Sequence, residues 1–142
     1  MLLAKGRKKC IMIKRRKGAE LLMDCRTISL FRNLEQQAIR QRYNEIYAHE
    51  LAHKNAAGSL AGPIVIEKDS NGIPIGGHVS IAMPALDKEH PEKTVKHADI
   101  VIKSALAPSD PSEQDYKVAA KAKAIKSQAE TIQKQHKLDY YA

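Results

Sequence analysis

Tyr47-Ala48-His49-Glu50-Leu51-Ala52-His53 places two histidines four residues apart, with a glutamate directly after the first. On a helix, residues at i and i+4 lie one turn apart on the same face, with Cβ atoms about 5–6 Å from each other. Both imidazoles can then reach one zinc ion at about 2.0–2.1 Å per Zn–N bond. Glu50 projects beside that ion, where a carboxylate can take a proton from an activated water. The same three residues on an exposed helix would merely be solvated, so the surroundings of the motif decide.

Those surroundings favour a buried helix. Leu34 to Ala57 contains no Pro or Gly, Asn33 is placed as an N-cap, and Gln36 completes a capping box. Ile39, Tyr43, Ile46, His49, His53 and Ala56 or Ala57 recur at three- and four-residue spacing, so one face carries both the apolar residues and the two histidines. Gly58 stands where a left-handed C-cap is expected. The motif thus occupies the last third of a long helix that faces a core.

After Gly58 the periodicity changes. Ile64–Lys68 reads as a strand, Asp69-Ser70-Asn71-Gly72 as a turn, and Ile73–Ile75 with His78–Ala82 as a returning strand interrupted by Gly76-Gly77. In that second strand Val79 and Ile81 face one way and His78, Ser80 and Ala82 the other. Such a strand could lie along a cleft and present its backbone to an extended peptide. A helix is predicted from Pro91 to about Leu106, stopped by Pro108, with Glu92 and Lys103 matched to its dipole. A last helix opens with Asp110 as N-cap, Pro111 at N1 and Glu113 at N3. Its Val118, Ala122, Ile125, Ala129 and Ile132 form a narrow apolar seam. The expected fold class is α+β, mostly helical: a long zinc-binding helix, a β-hairpin and two C-terminal helices, a minimal zincin-like arrangement.

The 142 residues suit one modest core. With no Trp and one Phe, that core must be aliphatic. The formal charge is +8, but residues 1–17 hold eight Lys or Arg and no acid, so residues 18–142 balance at sixteen against sixteen. We therefore divide the chain into a basic N-terminal arm, residues 1–32, and a domain over residues 33–137. A basic block over residues 1–17 can hold nucleic acid or an anionic surface by counterion release, or can simply be a solvated extension. Scarce aromatics argue against stacking platforms for single strands. No apolar run approaches the roughly 20 residues of a membrane span. Cys10-Ile11-Met12-Ile13 is too short for the apolar region of a signal peptide, so a cytoplasmic location is expected. Cys10 and Cys25 form no metal or redox pair and read as two reduced thiols.

A third metal ligand is less legible. The longer pattern that extends two histidines with Gly and His three and six residues later is absent, since Ala56 and Ser59 stand there. Glu67, His78, Glu89, His90, Glu92, His97 and His136 remain. His78 is favoured because it follows Gly76-Gly77, which permits close backbone approach, although a strand histidine also serves as a hydrogen-bonded structural residue.

From Tyr47 to about Ala129 the chain resembles the SprA-related family, bacterial proteins read as zinc metallopeptidases largely on the His-Glu-x-x-His motif. The segments that carry the likeness are His49–Gly58, Gly76–Ile81, Pro91–Thr94, Ala105–Ser112 and Asp115. The family pattern has Gly-Gly-Glu-Val where this chain has Gly76-Gly77-His78-Val79. Glu and His both bind zinc, so the exchange fits a third ligand at His78, and equally a position that accepts polar residues. The resemblance implies a Zn²⁺-dependent peptidase acting on a peptide or protein, with His49, His53 and His78 as ligands and Glu50 as general base. Two alternatives are a zinc-stabilised module without catalysis, closed by a fourth ligand such as His90 or Glu67, and a nucleic-acid or anionic-surface binder working through residues 1–17.

Overall fold

The computed structural model describes residues 25–141. Within them lie three helices and one two-stranded antiparallel sheet: α1 (Cys25–Ala57), β1 (Ala61–Lys68), β2 (Pro74–Ile81), α2 (Pro91–Ala105) and α3 (Glu113–Tyr141). A short 3₁₀ turn, Gly58–Leu60, joins α1 to β1. Of the expected basic arm, residues 1–32, the part over 1–24, with the basic block 1–17 and Cys10, lies outside the described residues.

The chain divides into two units within α1, one ending at Arg42 and one beginning at Tyr43. In the described part of the first, α1 is already helical from Cys25, and Ser29 Oγ donates to the Arg26 carbonyl at 2.8 Å. Asn33 is therefore an interior residue, not the N-cap expected. Nothing between Cys25 and Ala57 breaks a helix, and the modest cost of an interior Asn does not outweigh propagation through its neighbours.

All later elements belong to the second unit. There Glu50, His53 and Ala57 of α1 are buried, and Ile46, His49, Leu51, Ala52, Lys54 and Ala56 are half-buried. The helix ends as its sequence dictates: Gly58 takes φ +58°, a left-handed conformation that costs a residue without Cβ nothing.

The hairpin is in register through Ile64↔Val79, Val65↔His78, Ile66↔Gly77 and Glu67↔Gly76, with irregularities near both ends. Asp69 closes its turn by accepting the N–H groups of Asn71 at 2.9 Å and Ile73 at 2.8 Å, while Gly72 takes φ +78°. Burial alternates as the sequence predicts. Ile64, Ile66, Gly77, Val79 and Ile81 are on the half-buried face, while Val65, Glu67, His78 and Ser80 are on the exposed one. Gly76-Gly77 does not interrupt β2, which runs through both.

Helices α2 and α3 form a hairpin around small residues. Ala98, Val101, Ala105, Ala119, Ala122 and Ala129 are buried, and the predicted seam of α3 faces this layer. Alanines at the contact let helix axes approach closely, which suits a chain with so few large side chains. Asp99 in α2 meets Lys126 in α3 at 2.7 Å, and the earlier Pro91 and Glu92 lie beside the later Gln133 and His136, so the two helices run in opposite senses. The start of α2 is held by Asp87 Oδ1, which accepts the N–H groups of Glu89 and His90, each at 2.9 Å. Buried Thr94 accepts the Asp87 N–H at 3.0 Å and donates to the Ala85 carbonyl at 3.0 Å. The N-cap of α3 is Ser112 rather than the expected Asp110. Ser112 N–H donates to Asp115 Oδ2 at 2.7 Å, and Asp115 N–H donates to Ser112 Oγ at 3.3 Å. Two overlapping capping boxes are written in this stretch, and the later one forms.

Candidate metal centre

His49 and His53 meet because the helix is regular across the motif: their Nε2 atoms stand 3.3 Å apart. The two rings are held at 76° to each other, edge to face, with centroids 4.9 Å apart. His53 is fixed from behind. Its Nδ1–H donates to the Ser104 carbonyl at 2.9 Å, and Ser104 Oγ returns a hydrogen bond to the His53 carbonyl at 2.7 Å. Both partners are buried, with His53 only 5% exposed. A backbone acceptor on Nδ1 sets the tautomer, so the Nε2 lone pair points to His49 and the open side.

The third group to arrive is Asp115. Its Oδ1 lies 3.5 Å from His53 Nε2, and its Oδ2 lies 3.8 Å from His49 Nε2. Among the described residues, His49, His53 and Asp115 form a group of donors that could hold a metal ion. The capping box aims the carboxylate: Asp115 is the N3 residue of α3, and the Ser112 N–H anchors one of its oxygens. One side chain thus closes a helix end and faces two imidazoles.

Glu50 is 6% exposed, and among the described residues its side chain makes no hydrogen bond or ion pair. Its place depends on Gly77. A Cβ at Gly77 would stand 2.8 Å from Ile46 Cγ2, 3.0 Å from Glu50 Cγ and 3.2 Å from the Val65 carbonyl oxygen. Only a residue without a side chain lets β2 come this close to α1. Gly76 is different, since a Cβ there would meet Glu67 Oε2 at an ordinary 3.6 Å.

A cavity of about 620 Å³ opens beside these groups, lined by His49, Glu50, His53 and Asp115 and by β2 from Gly76 to Val79. His78 is at its rim but is not among the three convergent groups. Gly77 and Val79 face the helix, so His78 must face away, and its Nδ1 lies 3.1 Å from Glu67 Oε1 across the exposed face of the hairpin. The remaining candidates are also engaged elsewhere. His90 lies 3.5 Å from Glu92, and His97 Nε2–H donates to the Ala82 carbonyl at 2.9 Å. Glu89, Glu92 and His136 line a separate shallow cavity. Tyr43 and Tyr47 stack on each other with centroids 6.1 Å apart, and neither lines the central cavity.

Asp115 was not among the third-ligand candidates drawn from the sequence. Asp115 stands among the segments that carry the family likeness, but its spacing from Ser112 announces a helix cap rather than a ligand. Among the described residues no helix is long and apolar enough to cross a membrane.

No curated protein and no solved structure matches the chain. The model of the SprA-related family matches residues 22–137, a longer stretch than the motif blocks span. The chain therefore belongs to the SprA-related family.

Proposed function

We propose that this protein is a zinc-dependent metallopeptidase with a minimal zincin-like site, in which His49, His53 and Asp115 hold the metal and Glu50 is the general base. The observation that carries the reading is the convergence of two imidazoles and a carboxylate in a cavity that Glu50 also lines. Two donors bound to one zinc at about 2.0–2.1 Å in tetrahedral geometry stand about 3.3 Å apart. The 3.3 Å between the two Nε2 atoms fits this, as does 3.5 Å from His53 Nε2 to Asp115 Oδ1, while the other oxygen, Oδ2, lies 3.8 Å from His49 Nε2. Nitrogen and carboxylate donors also suit zinc chemically.

Three protein donors beside an open cavity match the form of catalytic zinc sites, whereas structural sites close with four. Zinc bound there would polarise a peptide carbonyl and lower the pKa of an attacking water toward about 7. Each residue has a separate task. His53, locked by Ser104, presents Nε2 without reorganisation. Asp115 adds a carboxylate to the two imidazoles. Glu50 accepts the proton of the attacking water on its carboxylate and delivers it to the leaving amine nitrogen. β2 forms the wall along which an extended peptide would lie.

The test is zinc content and peptide hydrolysis of the untagged protein beside Glu50→Gln. About one zinc per chain in both proteins, with hydrolysis only in the wild type, is the expected result. Loss of neither zinc nor function in Glu50→Gln would instead make the metal structural. A chain that binds no zinc would end the metallopeptidase reading.

A further inference from the structure

His49, Glu50, His53 and Asp115 all lie in the second unit, from Tyr43 onward, while the chain's charge is concentrated in the first. Residues 1–42 hold twelve Lys or Arg against three acids, a net +9. Residues 43–142 hold twelve against thirteen, so the whole positive excess belongs to the first unit. Such a block draws anionic partners.

The described part of that unit adds a second feature. Residues 29–38 of α1 are all exposed, with Leu30, Phe31 and Leu34 at 58%, 55% and 60%. At about 100° per residue these three and Ala38 fall within about 100° of arc, so one helix face is apolar and open. Arg26 borders that face, and Arg32 and Arg40 stand on the opposite one. Three large apolar groups side by side differ from the scattered exposure of an ordinary surface.

A partner must answer both features. A phosphate backbone would take the charge and leave Leu30, Phe31 and Leu34 in water. A second copy would cover the apolar face but bring two units of net +9 together. The surface of an anionic bilayer takes both, since its headgroups meet the basic residues and its acyl boundary receives the apolar ones. We propose that residues 1–42 bind the surface of an anionic lipid bilayer, with Leu30, Phe31 and Leu34 inserted and the Lys and Arg side chains on the headgroups. The inference does not depend on the metallopeptidase reading.

The experiment sediments the full chain with phosphatidylcholine vesicles that contain either no anionic lipid or about one third phosphatidylglycerol. Binding is expected to the anionic vesicles, and should weaken at least about tenfold when salt rises from about 50 to about 200 mM. The chain has no Trp, so Phe31→Trp places a single reporter on the apolar face. Its emission should shift to the blue on the vesicles and be quenched by lipids brominated in the acyl chain. Leu30→Gln, Phe31→Gln and Leu34→Gln combined should lower affinity at least about tenfold, with helix content by circular dichroism unchanged. Equal binding of the wild type and this triple variant, or a Phe31→Trp emission that stays unquenched on bound protein, overturns the proposal. Tighter binding to a DNA duplex than to the anionic vesicles at the same salt overturns it in favour of nucleic acid. Self-association that the triple variant loses, without vesicle binding, overturns it in favour of a second copy.

Discussion

Two segments approach the same cavity, β2 at Gly76–Ile81 and the first turn of α3 at Ser112–Val118, and they use their polar residues in opposite ways. His78 has the better chemistry on paper, since it is an imidazole next to a glycine that comes close to α1. Yet a strand allows a side chain one of two directions, and Gly77 has taken the inward one. The outward direction leaves His78 on Glu67. Asp115 looks like a routine helix cap. At a helix N-terminus, however, a carboxylate anchored at one oxygen can still turn its other oxygen toward a neighbour, and here that neighbour is His53. A glycine in β2 therefore matters for what it omits, and an acid in α3 for a second use of a capping group.

The largest expected effects set these two segments against each other. His53→Ala should abolish zinc binding. Asp115→Ala should weaken it by more than the roughly 10–100-fold that loss of an outer-shell partner causes, whereas His78→Ala should leave it within about twofold. Competition with a chromophoric chelator measures all three. Zinc retained in Asp115→Ala and lost in His78→Ala would reverse the roles of the two segments.

Next comes Glu50→Gln, for which peptide turnover should fall by about 10²–10⁴ with zinc content unchanged, the range for losing a general base. A smaller drop would mean that Glu50 is buried for packing rather than chemistry.

The two glycines of β2 give a sharper internal contrast. Gly77→Ala forces a Cβ against Ile46 and Glu50 at 2.8 Å and 3.0 Å, and overpacking of this kind costs about 1–3 kcal/mol. Gly76→Ala meets its nearest neighbour at 3.6 Å and should change stability by less than about 0.5 kcal/mol. Chemical denaturation of both variants would show whether close approach, rather than flexibility, explains the pair. Equal effects would remove that explanation.

The smallest effect is in the hairpin turn. The Ile73 N–H, and after it the Asn71 N–H, hold the Asp69 carboxyl below its usual range. Its folded-state value is the lower one, so the stability it contributes is present above the ordinary value of 3.8 and is lost as pH falls through the depressed value. Asp69→Asn should flatten this acid limb slightly, measured as the pH dependence of unfolding between about pH 5 and 2. An unchanged limb would show that the turn does not depend on that charge.

Local order was legible wherever chemistry repeats at a fixed spacing. The His-Glu-x-x-His turn, the stop at Gly58, the alternation of β2, the start of α2 at Pro91 and the seam of α3 all follow from 3.6- or two-residue periods and from breakers. The true start of the long helix was harder, because Asn33 offers a cap that the surrounding helix simply passes through. The cap of the last helix was expected at Asp110, whereas the hydrogen bonds of a capping box form between Ser112 and Asp115.

By itself the sequence determined that His49 and His53 share one helix face, that Glu50 stands beside them, the mostly helical order of elements and the alternation of β2, although it also placed Tyr43, which is exposed, on the core face. The tertiary structure alone decided that Asp115, 62 positions after His53, joins the cluster, that Ser104 locks the His53 ring, and that Gly77 rather than His78 faces the helix. The physical reason is range. Periodicity and capping act through neighbours along the chain, whereas the third donor depends on where α2 and α3 bring their ends, and no residue near Asp115 carries that information.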